Sequence, residues 1–178
     1  MKFLSKLLIF FGVLCLLTAG YYMWLRTSPT RLNFDTTYAQ NQSVAAESKA
    51  VPTRLIIGDV KVDLPVYAAS VVNNQWQTTT KGVSYLRSSP VPGEKGNSII
   101  YGHNWLNLLG PLTAVRPGEK IEVDFSDNSH KTFVVEYTSI VNPNDASILA
   151  PSKDKRITLY TCTGFLDSKR FVAVATLQ

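Results

Sequence analysis

The sequence predicts an all-β domain of about eight short strands, a closed or nearly closed barrel or a sandwich, behind an N-terminal apolar helix. Three observations carry this. From Val51 onward, short apolar runs alternate with polar positions and are broken by Pro, Gly, Asn and Asp at close spacing. Helix-period patterns are scarce over the same stretch. Before it, Leu7 to Leu25 is apolar apart from Thr18 and ends in Tyr21, Tyr22 and Trp24.

That first segment is long enough, as a helix, to rise about 28 Å, close to the thickness of a bilayer core. Lys2 and Lys6 precede it and Arg26 and Arg31 follow it. With the amino terminus counted, the bias points to a cytoplasmic N-terminus, with the aromatic cluster at the far interface. A cleaved signal peptide is the alternative: Thr18-Ala19-Gly20 offers small residues. A tyrosine pair and more apolar residues follow at once, so residues 1–26 read as an uncleaved anchor. Either reading exports the remainder. Residues 27–50 are polar and lack sustained periodicity, as in a stalk, with a short helix expected around Tyr38 to Ser48. Residues 51–178 form the domain.

Within the domain, Arg54 to Ile57 and Val60 to Leu64 flank Gly58-Asp59 and suit a hairpin. Pro65 is expected to end the second strand, with Val66 to Val71 resuming it. Trp76 to Thr78 is a short strand candidate. Pro90 to Asn97 is a loop, and Ser98 to Gly102 a buried strand with His103 at its end. Asn104 suits the N-cap of a short helix carrying Trp105, Leu106, Leu108 and Leu109, closed by Gly110-Pro111. Ile121 to Phe125 and Lys131 to Tyr137 make a second hairpin around Asp127-Asn128-Ser129. Ala146 to Ala150 allows one helical turn. Arg156 to Thr161 and Phe171 to Thr176 are the last strands.

The formal charge of +5 belongs mainly to the membrane flanks. All thirteen acids lie after Arg31, against fourteen of the eighteen bases, so the domain is nearly neutral. The basic balance is therefore no argument for nucleic acid. Glu119, Glu122, Asp124 and Asp127 carry no calcium-loop pattern and read as a solvated hairpin. No metal is called for, and His130 reads as solvated. Cys15 lies in the apolar segment, which leaves Cys162 alone in the exported part. An unpaired cysteine there is a candidate reactive thiol, a buried structural cysteine being the alternative.

A thiol attacks as thiolate, an imidazole can move its proton, and a guanidinium can neutralise an oxyanion. Cys162, His103 and Arg170 each stand at a strand end, where side chains can gather at one mouth of a barrel. Singly, each has a structural reading: a satisfied histidine, a strand-flanking arginine, and core packing for Trp76, Trp105 and Tyr160.

Together they resemble the sortases, membrane-anchored cysteine transpeptidases of Gram-positive-type envelopes. Thr158-Leu159-Tyr160-Thr161-Cys162 matches the TLxTC motif of that family. Pro92 to Asn97, then Ile99-Ile100-Tyr101-Gly102-His103, resembles its approach to the histidine. Arg170-Phe171-Val172-Ala173 resembles its arginine strand, and Asp63-Leu64-Pro65-Val66-Tyr67 the opening of its barrel. The resemblance implies a closed eight-stranded β-barrel with one or two short helices. It implies Cys162 as nucleophile, His103 as general acid and base, and Arg170 at the oxyanion, with Thr161, Tyr160 and Asn104 at the substrate.

The implied substrate is an LPxTG-like sorting signal on a secreted protein. The implied acceptor is an amine of a lipid II-like precursor or a pilin lysine, and no cofactor is required. The implied place is the plasma membrane, single-pass, with the catalytic domain outside. Only Thr163 to Lys169 separate Cys162 from Arg170, which resembles the compact class D, E or F types more than class A. No Asp-Pro-aromatic lid precedes the barrel, which disfavours a pilin-polymerising enzyme. Order and context disfavour L,D-transpeptidases and papain-like peptidases, whose cysteines sit beside or before their histidines. A membrane-tethered β-domain that only binds a partner is the non-enzymatic alternative.

Overall fold

The structure, a computed structural model, describes residues 2–27, 32, 34, 50–73 and 75–178. The expected helix around Tyr38 to Ser48 lies outside the described residues. Helix α1 (Lys2–Thr27) contains Leu4–Trp24, long and apolar enough to cross a membrane, and none of that span is buried in the molecule.

Among the described residues ten strands follow: β1 (Pro52–Ile57), β2 (Val62–Ala69), β3 (Val71–Val72), β4 (Gln75–Trp76), β5 (Val83–Leu86), β6 (Gly96–Tyr101), β7 (Lys120–Phe125), β8 (His130–Val141), β9 (Lys155–Thr163) and β10 (Lys169–Leu177). Eight of them close a barrel in the order β1-β2-β5-β6-β9-β10-β8-β7, with β7 returning to β1. The expected barrel is present, and the sandwich alternative is not. The β2–β5 and β6–β9 pairs are parallel and the others antiparallel. β3 and β4 form a separate small hairpin.

Strict alternation fills this barrel. Every barrel strand sends apolar residues into one core, among them Leu55, Leu64, Val83, Ile100, Val123, Phe133, Leu159 and Ala173. A second cluster lies on the opposite face of β6, β9 and β10, built from Ile99, Tyr101, Tyr160, Cys162, Val172 and Val174. Trp76, the turn Ala146–Leu149, Leu32 and Phe34 cover that face. The single helical turn expected near Ala146 is thus present, as a 3-10 turn.

Two local expectations are corrected, and one strand appears that no expectation covered. Pro65 does not end β2. It stands where pairing to β1 stops, at Arg54↔Pro65, and pairing to β5 starts, at Val66↔Val83, so its missing N–H falls at a change of partner. A Cβ at Gly82 would lie 2.2 Å from the Pro65 carbonyl oxygen, so only glycine lets the two segments pass. β5 itself had no sequence expectation, because all four of its residues are buried and alternation is lost.

The second correction concerns Asn104, which caps no helix. Residues 106–109 form a turn, tied by Leu108 N–H to the Trp105 carbonyl and Leu109 N–H to that of His103. Gly110 begins a 3-10 turn, Gly110–Ala114, rather than closing a helix. A Cβ there would meet the Trp105 and Asn104 carbonyl oxygens at 2.7 and 2.8 Å.

Candidate active site

The site is a product of two strand registers. In the parallel β6–β9 pair, Tyr101 stands beside Tyr160. Gly102 continues the ladder, its N–H donating to the Tyr160 carbonyl at 3.3 Å. The Thr161 hydroxyl then donates to the Gly102 carbonyl at 2.8 Å. One residue further along the two chains are His103 and Cys162, at the same end of the pair. In the antiparallel β9–β10 pair, Cys162 is the register partner of Arg170. His103, distant in sequence, and the Cys162–Arg170 pair therefore stand at one end of adjacent strands. All are nearly buried: His103 is 5%, Cys162 3% and Arg170 3% exposed.

Each side chain is held. The His103 ring stacks on Trp105, centroids 4.9 Å apart at 15°. Burial lowers its pKa, and the Asp167 carboxylate opposes this in part. Arg170 Nη1 donates to the Asp167 and Lys169 carbonyls, both at 3.0 Å. Asn104 Nδ2 donates to Asp167 Oδ1 at 2.7 Å, which ties the histidine segment to the loop before the arginine. That loop is strained: Leu166 and Asp167 have φ of 51° and 60°.

Beside the three residues lies an aromatic platform. Tyr101 and Tyr160 stack at 5.3 Å and 10°. Trp76 meets Tyr101 edge-on at 5.1 Å. Burial and the neighbouring Tyr101 push the Tyr160 phenol well above the usual range, so it serves as a neutral donor. It donates to the Leu32 carbonyl at 3.2 Å. Phe34 packs edge-on against Tyr160 at 4.8 Å, and the Arg170 guanidinium lies 5.9 Å from its ring centre. Residues 32 and 34, from the stretch read as stalk, thus sit on the platform, 0% and 2% exposed.

The placement of the six expected site residues divides. Cys162, His103, Arg170 and Tyr160 come together. Thr161 lies on the other face of β9 from Tyr160 and Cys162, and its hydroxyl is committed to Gly102. Asn104 is committed to Asp167. Sequence reasoning missed Asp167, Asn97 and the Leu32–Phe34 pair. Buried Asn97 donates to the Ile148 and Ala150 carbonyls and accepts from Thr158, so it holds the 146–149 turn over the platform. An asparagine next to a glycine reads as loop, and nothing local reveals partners some fifty positions away. Among the described residues, no group of three or more His, Cys, Asp or Glu is placed to hold a metal.

A family model described as Sortase domain matches residues 55–178, most of the chain and the whole barrel beyond the start of β1. The chain belongs to the sortase family. Sortase A of Listeria monocytogenes is 32% identical over 136 residues, covering 74% of this chain and 59% of that protein. This sortase therefore spans about three-fifths of that curated relative. The crystal structure of Listeria monocytogenes sortase A superposes with a TM-score of 0.59 at 32% identity, covering 72% of this chain and 87% of that one. A lid mutant of sortase A from Corynebacterium diphtheriae gives 0.63 at 26% identity, covering 74% and 73%. A sortase D5 transpeptidase from Clostridium perfringens, 18% identical with a TM-score of 0.60, shares the fold; it covers 72% of this chain and 79% of its own.

Proposed function

We propose that this sortase is a membrane-anchored cysteine transpeptidase acting on an LPxTG-like sorting signal of secreted proteins. The observation that carries the reading is the pairing of Cys162 with Arg170 at the end of β9 and β10 where His103 follows β6. Residues 1–26 serve as the anchor, 27–50 as the stalk and 51–178 as the catalytic barrel. The N-terminus stays in the cytoplasm and the barrel faces outward at the plasma membrane.

The chemistry follows from the proton states. Burial favours neutral His103, which takes the thiol proton as Cys162 Sγ attacks the Thr–Gly carbonyl. Arg170, fixed by two backbone carbonyls, neutralises the oxyanion. The C–N bond breaks, His103 gives its proton to the leaving amine, and a thioester to Cys162 remains. An incoming amine then attacks the thioester. Its proton passes to the imidazole, the C–S bond breaks, and an amide is formed. The acceptor is an amine of the cell wall, on a lipid II-like precursor. Tyr160 contributes to the platform under the signal, while Thr161 and Asn104 position the histidine segment.

The test uses the full chain in detergent micelles with peptides bearing varied sorting signals. A thioacyl adduct on Cys162, seen by mass spectrometry, is expected. In Cys162→Ala the adduct and turnover vanish while the circular dichroism spectrum is kept. Retained turnover in that variant would remove the nucleophile assignment. Binding without any adduct in the native chain would favour a partner-binding domain instead.

A further inference from the structure

Beyond α1, the three most exposed large apolar side chains among the described residues are Leu106, Phe165 and Ile140, at 91%, 85% and 64%. All three stand at the catalytic end of the barrel. Leu106 follows His103 by three positions, and Phe165 follows Cys162 by three. Ile140 pairs with Phe171, one register step from the Arg170–Val141 pair. Leu166, also exposed, adjoins Phe165. The hydrogen bond from Asn104 to Asp167 holds the two loops side by side.

We propose that this rim is a membrane-contacting surface, seating Leu106, Phe165 and Leu166 at the headgroup boundary of the bilayer that holds α1. The inference rests on the anchor reading above and adds the orientation of the barrel on its membrane. Three arguments carry it. First, single exposed apolar residues are ordinary, but here they gather on two bonded loops, and such clusters mark contact sites. Second, the covalent link names the contact. Leu32 accepts from Tyr160 on the platform, and it follows Thr27, the last residue of α1, by only five positions. Five residues, even stretched, reach less than the thickness of a bilayer. Phe34 packs on Tyr160 and lies near Arg170, at the same end of the barrel as the rim. While the two are seated, the rim is kept near a lipid surface. Third, the loops cost little to seat. Residues 104–109 carry no ionisable side chain, and the one carboxylate in residues 163–168, that of Asp167, is occupied by Asn104. Leu166 meanwhile holds a φ of 51° with its side chain half in solvent, and burial of the tip in the acyl boundary offsets that strain.

The experiment uses the full chain in phosphatidylcholine liposomes doped with a phosphatidylcholine that carries a diazirine on its acyl chain. After irradiation, lipid adducts are mapped to peptides by mass spectrometry. Adducts are expected on α1 and on the peptides that hold Leu106 and Phe165–Leu166. Val51, at 47% as exposed as Leu166, is the control. It precedes β1, which begins at the barrel end where β10 finishes, and should stay unlabelled. In the double variant Leu106→Ser, Phe165→Ser, loop labelling relative to α1 should fall about tenfold or more, from the lost burial of a leucine and a phenylalanine. Both side chains are exposed, so the circular dichroism spectrum should be kept. Bare loops beside a labelled α1 overturn the proposal and leave the anchor. Equal labelling of the Val51 peptide, or unchanged loop labelling in the double variant, also overturns it. Loop labelling that falls as the protein-to-lipid ratio rises would assign the rim to a second copy of the chain and overturn it too. Labelled loops with a bare α1 would instead retain the rim contact and remove the anchor reading.

Discussion

Asp167 is the residue through which the histidine and arginine segments communicate. Its side chain accepts from Asn104, its carbonyl accepts from Arg170, and its charge opposes the effect of burial on His103. Removing that charge leaves burial unopposed, so Asp167→Asn should lower the His103 pKa further. Titrating the ring C–H resonances by NMR checks this, and a rise or no change would remove the coupling. The sign for stability follows. His103 titrates below its ordinary value of about 6.5, so its neutral form contributes stability above that pH. The contribution is lost as pH falls through the lower folded value. Cys162, His103 and Arg170 were legible because their residue types carry chemistry. Asp167 was not, because its signal is a left-handed backbone and a contact across the loop, neither of which a lone Leu-Asp-Ser stretch announces.

Among the elements, strands with one buried face were readable from alternation, and β6, β9 and β10, buried on both faces, from their longer apolar runs. β7 alternates buried and open positions and was placed within a residue, while β5, buried throughout, was missed. The turn after His103 misled for a related reason. Its leucines at helical spacing serve a turn and a 3-10 segment, with Leu108, Leu109 and Leu112 buried and Leu106 in solvent. The cover of the platform was also hidden, because its two buried residues come from a polar stretch with no period. Phe34 makes ring contacts with Tyr160 and Trp76 in the cluster that holds Cys162. Each such pair contributes about 0.5–1.5 kcal/mol. Phe34→Ala should therefore raise the rate of Cys162 alkylation by iodoacetamide about tenfold or more, where labelling follows the open population. Mass spectrometric counting of labelled thiol gives the rate. Equal rates would show that Phe34 does not shield the sulfur.

For the whole molecule, closure of the barrel makes one cooperative core out of eight short strands. Phe133 on β8 is 0% exposed within it, and β8 joins β7 to β10. Phe133→Ala should cost about 3–5 kcal/mol, read as a lowered urea midpoint at unchanged slope. A loss below about 1 kcal/mol would mean that the core collapses around the gap. The seat of Leu32 on the platform has another consequence at this scale. Leu32 follows Thr27, the last residue of α1, by five positions, and a fully stretched chain of that length reaches about 18 Å. While Leu32 is seated, the part of the platform it covers cannot lie farther than that from the end of the helix. Ala50, the next described residue after Phe34, follows Thr27 by twenty-three positions, a span that a fully stretched chain covers in about 80 Å. Two buried side chains thus shorten the distance at which the barrel can stand from the end of α1.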